Sequence, residues 1–458
     1  MHDSSDRRFL GHPVGLAFLA FTEAFERFSY YGMQALLVLY LTKQLLLSGH
    51  VEKVAGFPEF RSFVEGMYHR PLSVEALASA IFGLYTGLVY LTPLAGGFIA
   101  DRWLGRTRTI TLGALLMSAG HFLMAFDVSF LAALACLVAG VGCFKGNLAS
   151  QVGALYEPGD LRRADAFQIY YLAINGGVVA APLIVGTLGE RVGWHYGFGA
   201  AGVGMLIGLA LYLTGRRWFP TEAAVQARKK STPKTRLTKR DWLAVAVLVG
   251  LLPVLTLSVI GNQQIFNAYM LWAEKSANLV FFGRTMPTTW LVTLDSILSV
   301  TFLAGAVLFW RLWAKRYREP DEITKMGIGS LLGITGFVAL ALGAHSAGAT
   351  GKVNIGWLIA FHTLNSISFA NVFPVGLALY ARAAPAALSA TIIGVYYLHL
   401  FAANNAVGWI GGLLETMPAD RFWYLHAAFC GASGVLFLLA GRLFGHLLAP
   451  QNQSATEP

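Results

Sequence analysis

Long apolar runs follow one another along almost the whole chain, separated by short polar stretches. Many of them extend over about 20 residues, which is enough for one α-helix to cross a bilayer. The pattern predicts twelve such helices, at 13–46, 75–100, 107–127, 130–155, 166–188, 195–215, 241–274, 285–314, 322–345, 354–381, 388–415 and 422–446. We therefore predict an all-α membrane protein with twelve transmembrane helices.

A polar, basic and proline-containing stretch at 216–240 divides the predicted helices into two groups of six. We predict an N-terminal six-helix bundle at 1–215, a cytoplasmic basic linker at 216–240, a C-terminal six-helix bundle at 241–450 and a tail at 451–458. The halves resemble each other weakly, since both place polar residues in the middle of their first, fourth and fifth helices. Two related six-helix halves are typical of transporters that alternate access to a central site.

The composition supports membrane insertion and argues against a soluble enzyme. Of the 458 residues, 56% are hydrophobic and 13% are charged, whereas a soluble domain carries about 25% charged residues. The net charge of +10 could attract nucleic acid, but Lys and Arg collect in the loops on the side that holds the N-terminus. Because positive loops stay inside, we expect both termini in the cytoplasm. We expect the location to be a bacterial-type inner (plasma) membrane, and we expect no nucleic-acid partner.

Motifs of catalysis and of ATP use are missing from the sequence. It has no P-loop, no HExxH motif and no ordered Ser-His-Asp set, and its three cysteines lack metal-ligand spacing. We therefore predict no enzyme activity, no metal and no cofactor, and we expect an ion gradient to supply the energy.

Three charges interrupt the first apolar run, within the stretch FTEAFERFSYYG. On a helix, Glu23, Glu26 and Arg27 fall on one stripe, which Tyr30 and Tyr31 continue. Each ionised group near the bilayer centre costs roughly 2.5–3.5 kcal/mol, so we expect the three to face a cavity and to pair with one another. Two carboxylates and one guanidinium leave a surplus carboxylate that can take up and release a proton. The alternative is a structural ion pair that does not titrate.

Two further charged residues lie inside predicted spans. Lys145, in FKGNLASQVG, has no acid near it in sequence, so it needs a partner on another helix or on a ligand; alternatively it reaches towards the membrane interface. Asp295, in LVTLDSILSV, is the acid of the C-terminal half that lies well inside a span. We expect it to face the cavity and to bind a cation or an amine, with a capping or interfacial carboxylate as the alternative.

Neutral polar side chains gather in the middle of two other predicted helices. Asn175 lies in the fifth helix together with Tyr170 and Tyr171, and Asn262 and Gln264 lie in the seventh. Amides and phenols both donate and accept hydrogen bonds, which suits backbone-like recognition. The same groups are equally suited to joining one helix to another.

A stretch rich in glycine and arginine, GGFIADRWLGRTRT, lies at the cytoplasmic end of the second predicted helix. Its acid, Asp101, can meet a helix N-terminus or the neighbouring Arg102 and Arg106. We expect these three residues to act as a gate latch rather than to bind substrate.

Four motifs resemble those of a known family. GGFIADRWLGRTRT resembles the loop between helices two and three of the major facilitator superfamily, and EAFERFSYYG is similar to the E-x-x-E-R-F-x-Y-Y-G signature of proton-coupled oligopeptide transporters. FKGN resembles that family's F-K-P-N, with Gly146 in place of proline, and YYLAINGG resembles its F-Y-x-x-I-N-x-G. The resemblance covers essentially the whole chain and implies a major facilitator fold that imports di- and tripeptides with protons by alternating access.

The resemblance also implies roles for particular residues. Proton coupling would involve Glu23, Glu26, Arg27 and Lys145. The peptide carboxylate would meet Arg27 and Lys145. The full set of peptide-binding candidates includes the residues chosen above from their positions. It is Arg27, Tyr30, Tyr31, Tyr85, Lys145, Asn175, Asn262, Gln264, Asp295 and Tyr396. We expect di- and tripeptides, protons and the lipid bilayer as partners, and a monomer.

Two departures from the family pattern leave other functions open. The family's glutamate on helix ten, five residues before the proline that is Pro374 here, is replaced by Phe369, and we hypothesise that Asp295 takes over its contact with the peptide amino group. Helix seven has Asn262 and Gln263 where many members carry an acid. The alternatives are a transporter of nitrate or of an amino acid conjugate, and a peptide sensor that does not transport.

Overall fold

A computed structural model describes residues 9–157, 160–221, 237–281, 283–347 and 351–448, and most of these residues are helical. Within these residues, nine helical segments are long and apolar enough to cross a membrane. The remaining predicted spans are helical as well. The prediction of an all-α membrane protein is therefore confirmed.

The described residues of the N-terminal half form the helices that the apolar pattern predicts, with one addition, α2. The helices are α1 Val14–Tyr40, α2 Phe57–Tyr68, α3 Val74–Ile99, α4 Arg106–Leu123, α5 Phe130–Ala154, α6 Arg162–Ala181, α7 Thr187–Arg191 and α8 Trp194–Gly215. Single π-helical turns follow α1 at Leu41–Leu45 and α3 at Ala100–Leu104, and a third, Pro182–Gly186, joins α6 to α7. Pro182 has no backbone N–H to continue the α-helical ladder, which accounts for the change at that point.

The described residues of the C-terminal half follow the prediction with one span broken into pieces. The helices are α9 Lys239–Gly250, α10 Leu252–Gln263, α11 Ala268–Ser276, α12 Trp290–Ala314, α13 Glu322–Ser346, α14 Ile355–Ala383, α15 Ser389–Gly411 and α16 Ala419–Leu448; the paired strands β1 Val280–Phe281 and β2 Arg284–Thr285 precede α12. The seventh predicted span corresponds to α9, α10 and α11. It breaks beside Pro253, which lacks a backbone donor, and at Asn267, whose backbone turns to φ −125° and ψ −105°.

The described residues pack as two compact units. The first unit lies within Met1–Pro233 and also takes in Thr285–Ser296. The second unit lies within Lys234–Arg284 and Ile297–Pro458. α12 therefore begins in the first unit and continues in the second, whereas the predicted bundle boundaries at 215 and 241 stay a prediction.

The end of α7 holds the beginning of α12 inside the first unit. The Glu190 carboxylate accepts hydrogen bonds from the backbone N–H groups of Thr288, at 2.9 Å, and of Thr289, at 2.8 Å. Trp290 donates its indole N–H to the Thr187 hydroxyl at 2.8 Å. The N–H groups where a chain enters a helix have no acceptor within that helix. Glu190, on α7, supplies the missing acceptor where the chain enters α12.

A close backbone approach joins α3 to α5. A Cβ atom on Gly96 would lie 1.9 Å from the carbonyl oxygen of Gly142, so only glycine fits there. Asn147, one turn further along α5, donates its side-chain N–H to the carbonyl oxygens of Gly96 at 3.2 Å and of Cys143 at 2.9 Å. This contact fixes the part of α5 that carries Lys145.

The helix with the three predicted charges, α1, packs against α6 and α8. On α6, a Cβ atom at Gly177 would lie 2.2 Å from the carbonyl oxygen of Ala24. On the α8 side, the Ser29 hydroxyl donates to the carbonyl oxygen of Ala201 at 2.7 Å. Neighbouring backbones therefore hold the charged turns of α1 from two sides.

In the second unit, α13 packs against α14 and α16, while α10 packs against α15 and α16. The core of this unit includes the fully buried Leu248, Tyr380, Tyr396 and Phe437. Aromatic residues bury large apolar areas and fix their neighbours, so these side chains give the unit a well-packed centre.

Two elements of the structure have no counterpart in the predicted helices. α2 is 12 residues long, too short to cross a bilayer, and the strand pair is shorter still. Other predictions fall on parts of the chain beyond the described residues. These parts are positions 222–236 of the basic linker and the tail at 451–458.

Candidate functional site

Three charged side chains of α1 form a buried cluster. Glu23, Glu26 and Arg27 are 4%, 0% and 5% exposed. The Arg27 Nε atom lies 3.2 Å from a Glu23 carboxylate oxygen and donates a hydrogen bond to Glu26. The three side chains thus pair with one another along one helical stripe, as their spacing predicts. One guanidinium serves two carboxylates, so the cluster carries a net negative charge when all three groups are ionised.

The cluster is not saturated with hydrogen bonds. Within the described residues, one carboxylate oxygen of Glu23, one of Glu26, one guanidinium nitrogen of Arg27 and the hydroxyl of Tyr30 are buried without a hydrogen-bond partner. A buried polar atom without a partner costs roughly 1–3 kcal/mol, and more when it is charged. Such a cluster gains stability from a proton on a carboxylate or from an anionic group that reaches the arginine.

Two tyrosines of α1 continue the charged stripe. The Arg27 guanidinium lies 5.5 Å from the centroid of the Tyr30 ring. The rings of Tyr30 and Tyr31 meet edge to face, with their centroids 5.2 Å apart. Because the face of an aromatic ring attracts a cation, the Tyr30 ring adds to the stabilisation of the guanidinium.

Tyrosines of other helices also reach the cluster. Tyr85 on α3 is buried, and it is close enough to Glu26 to interact with it electrostatically. Tyr170 on α6 is buried within electrostatic range of Glu23. The sequence analysis includes Tyr85 among the peptide-binding candidates and notes Tyr170, five residues before Asn175 on the same helix, as a polar residue of the fifth span.

Lys145 on α5 is half-buried and stands over an aromatic ring. Its Nζ atom lies 4.4 Å from the centroid of the Tyr90 ring on α3. It is within electrostatic range of Glu23 and Glu26, but in the part of the chain that the structure describes it forms no ion pair. A cation above a ring leaves no pattern of charges in the sequence, so the partnership with Tyr90 had no signal to predict it.

Asn175 lies on α6, in the same unit as the charged cluster. Its side-chain N–H donates to the carbonyl oxygen of Tyr171, one turn earlier, at 2.7 Å. The residue is half-buried, so its amide is held by its own helix and remains accessible from one side. Its predicted contact with a peptide backbone stays a prediction.

The acid predicted for the C-terminal half, Asp295, packs in the first unit. It is buried in the second turn of α12, in the part of that helix that joins the N-terminal helices. Two residues earlier, the Thr293 hydroxyl donates to the carbonyl oxygen of Val179 on α6 at 3.2 Å. Asp295 therefore belongs to the same compact unit as the charged cluster of α1.

Two candidates of the second unit, Gln264 and Tyr396, form hydrogen bonds to other segments of that unit. Gln264 is fully buried and donates to the carbonyl oxygen of Val407 on α15 at 3.3 Å. The Tyr396 hydroxyl donates to the carbonyl oxygen of Phe373 at 2.7 Å. These bonds already occupy one donor of each group, which joins segments of the second unit. Asn262 is half-buried.

The position that departs from the family pattern is aromatic in its surroundings as well as in its side chain. Phe369 stacks on Phe373, with ring centroids 5.3 Å apart and planes 10° apart. Phe373 in turn contacts Tyr396 and His399, at 5.9 and 6.1 Å between centroids. A cluster of aromatic side chains therefore occupies the place where the family pattern would have a carboxylate.

The predicted gate residues lie at one turn of the chain. Asp101 and Arg102 are exposed in the π-helical turn after α3, and the Arg102 guanidinium lies 5.2 Å from the centroid of the Phe98 ring. Gly105, at φ 73°, reverses the chain, and Arg106 begins α4. The three residues are neighbours, and their role as a latch stays a prediction.

The chain is similar to known proteins over nearly its full length. A family model described as "POT family" matches residues 107–231 and 222–424. The di-/tripeptide transporter of Lactococcus lactis subsp. cremoris is 30% identical, over 86% of this chain and 88% of its own. The peptide transporter YePEPT of Yersinia enterocolitica is 26% identical, over 95% and 94%. A crystal structure of peptide transporter POT in complex with sulfate matches with a TM-score of 0.81 at 27% identity, covering 96% of this chain and 97% of that one.

Proposed function

The chain belongs to the POT family, and on that premise we propose that it is a symporter that imports di- and tripeptides together with protons by alternating access. The observation that carries the proposal is the buried cluster of Glu23, Glu26 and Arg27, with Lys145 in the same unit. Buried charges of this kind are costly in a membrane helix. In a symporter these charges would have a function, because the carboxylates would bind the transported proton and the cations would bind the carboxylate of the peptide.

The two cations of the site suit the carboxylate end of a peptide. Arg27 keeps one buried nitrogen without a hydrogen-bond partner among the described residues, and Lys145 rests on a ring rather than on a carboxylate. Charge-assisted hydrogen bonds to a carboxylate are roughly twice as strong as neutral ones. A peptide carboxylate that reaches Arg27 would also compete with Glu23 and Glu26 for the guanidinium.

That competition couples the peptide to the proton. When a peptide carboxylate takes over part of Arg27, a glutamate loses its counter-ion and ionised carboxylates crowd together. Neighbouring like charges disfavour each other's ionisation. A proton on Glu23 or Glu26 therefore accompanies the bound peptide. Release of that proton on the far side restores the pairs with Arg27 and expels the peptide carboxylate.

The remaining candidates complete the proposed site. Tyr30, Tyr31, Tyr85 and Asn175 would contact the peptide from the first unit, and Asp295 would bind its amino group. Within the second unit, Asn262, Gln264 and Tyr396 are our candidates for further peptide contacts. Within the first unit, Asp101, Arg102 and Arg106 would form the latch. We further propose a monomer in a bacterial inner membrane, with both termini in the cytoplasm and the proton gradient as its source of energy.

Uptake into proteoliposomes tests the proposal. With the purified protein, an inward proton gradient should stimulate uptake of a labelled dipeptide, and unlabelled tripeptides should compete. Stimulated uptake of nitrate or of an amino acid conjugate, with none of any peptide, would replace the peptide hypothesis. Peptide binding without uptake under a gradient would indicate a sensor.

A lysine substitution tests the coupling itself. Lys145→Ala should abolish gradient-driven uptake, because the substitution removes one of the two cations offered to the carboxylate. Lys325→Ala is the matched control, since Lys325 also stands over a ring, that of Trp310 at 4.9 Å, but pairs with Glu319 in the second unit. Near wild-type uptake by Lys145→Ala would contradict the proposed role.

A further inference from the structure

A short helix outside the predicted spans, α2, occupies the end of the first unit that lies away from the N-terminus. It connects the end of α1 to the start of α3 at Val74, and both of those helices cross the membrane. Just before α2, the Ala55 N–H donates to the carbonyl oxygen of Val128, in the turn between α4 and α5, at 3.2 Å. α2 is therefore fixed at the level where the helices leave the bilayer.

The side chains of α2 divide into three faces. Phe57 and Val64 are buried against the protein. Phe63 and Met67, four residues apart and so on one face, are 60% and 46% exposed. The polar face carries Arg61, Ser62 and Glu65, and Glu59, one turn before Phe63, lies at the N-terminal edge of the exposed apolar face. Protein covers one apolar face, and the structure leaves the adjoining apolar face uncovered.

The polar face of α2 is complete in itself. Arg61 donates to Glu65 at 2.9 Å and to the carbonyl oxygen of Leu72 at 3.1 Å. The Leu72 N–H donates back to Glu65 at 3.0 Å. These bonds fold the chain after α2 against the helix and set its orientation. The charged groups of this face satisfy each other in water, whereas the exposed apolar face has no such internal partner among the described residues.

We propose that α2 lies along the membrane surface and inserts Phe63 and Met67 into the lipid leaflet beside it. A helix with a polar face and a broad apolar face suits the boundary between headgroups and acyl chains. The occupant is lipid because α2 joins two helices that cross the membrane, α1 and α3, so the bilayer is the apolar phase next to it. Leu47 and Val74, which flank α2 in the chain, are also exposed apolar residues.

Spin labelling in lipid vesicles tests this placement. In a variant without the three native cysteines, Phe63→Cys and Met67→Cys carry the label on the apolar face, and Ser62→Cys carries it on the polar face as the matched control. The full chain is reconstituted in vesicles of phosphatidylcholine and phosphatidylglycerol. Collisions of the label with oxygen, which concentrates in lipid, and with a water-soluble nickel chelate are then measured.

The ratio of oxygen to nickel collisions should be roughly threefold higher or more for F63C and M67C than for S62C, because oxygen partitions into the apolar phase that these side chains enter. Equal ratios on the two faces would overturn the proposal. Dipolar broadening at F63C would overturn it as well, because it would place a second copy of the chain on this face. If Phe63→Cys prevents insertion into the vesicles, Met67→Cys, one turn further along, carries the same expectation.

Discussion

Replacing Gly96 by alanine should destabilise the first unit, whereas the same change at the next residue should not. A Cβ atom on Gly96 would lie 1.9 Å from the carbonyl oxygen of Gly142 and 2.9 Å from the backbone nitrogen of Cys143. A Cβ atom on Gly97 would meet nothing within 4 Å. The pair therefore separates the effect of the close contact from the effect of alanine itself.

The size of the effect follows from the contact. Ordinary contacts of a Cβ atom begin at 3.4 Å, and the atom it would meet belongs to a backbone, so no side-chain rotation relieves the clash. Overpacking costs about 1–3 kcal/mol and occasionally more. Alanine is more favourable than glycine in a helix interior by about 1 kcal/mol at either position, so this contribution cancels when the two variants are compared. We expect Gly96→Ala to be less stable than Gly97→Ala by about 3 kcal/mol.

Thermal unfolding of the purified variants measures this difference. For a unit of this size, about 3 kcal/mol corresponds to a Tm roughly 6–12 °C lower for Gly96→Ala than for Gly97→Ala. Peptide uptake should fall with it, because α5 carries Lys145 one turn from the contact. If both variants melt within about 2 °C of the unchanged protein, α3 and α5 do not approach each other as described.

Three further predictions concern single side chains. Glu190→Ala should lower the free energy of unfolding by about 1–2 kcal/mol, because two N–H groups at the start of α12 lose their acceptor; an unchanged Tm would contradict the contact. Asp295→Asn should weaken binding of dipeptides with a free amino group more than of N-blocked ones in a competition assay, and equal losses would refute its role as the amine anchor. Tyr396→Phe should lower stability by about 1 kcal/mol, because its hydroxyl donates to the carbonyl oxygen of Phe373, and should raise the peptide KM because of its proposed contact with the peptide; an unchanged KM would remove Tyr396 from the site.

The spans of the helices follow closely from the sequence. The predicted span 75–100 corresponds to Val74–Ile99, and 322–345 corresponds to Glu322–Ser346. This agreement has a physical cause, since the thickness of the bilayer sets the length of an apolar run. The pairing within the charged stripe of α1 is equally local, because residues three and four apart share a helix face.

Neighbours in space are harder to predict than spans. Nothing in the apolar pattern assigns the first turns of α12 to the first unit, because the pattern specifies a crossing and not the helices beside it. Tyr90 under Lys145 and the bond of Gln264 to Val407 are contacts between distant parts of the chain. α2 escaped prediction for a different reason: a helix that lies on a surface needs only a few apolar residues.

The pairing of Arg27 with two acids of its own helix has a consequence for biosynthesis. α1 leaves the ribosome before α6 and α8, which surround it in the folded protein. A lone arginine would then enter the insertion machinery at a cost of roughly 2.5–3.5 kcal/mol. Because Glu23 and Glu26 are on the same helix, the partial neutralisation of these charges needs no other segment. The nascent helix therefore carries counter-ions for Arg27 into the membrane before α6 and α8 are made.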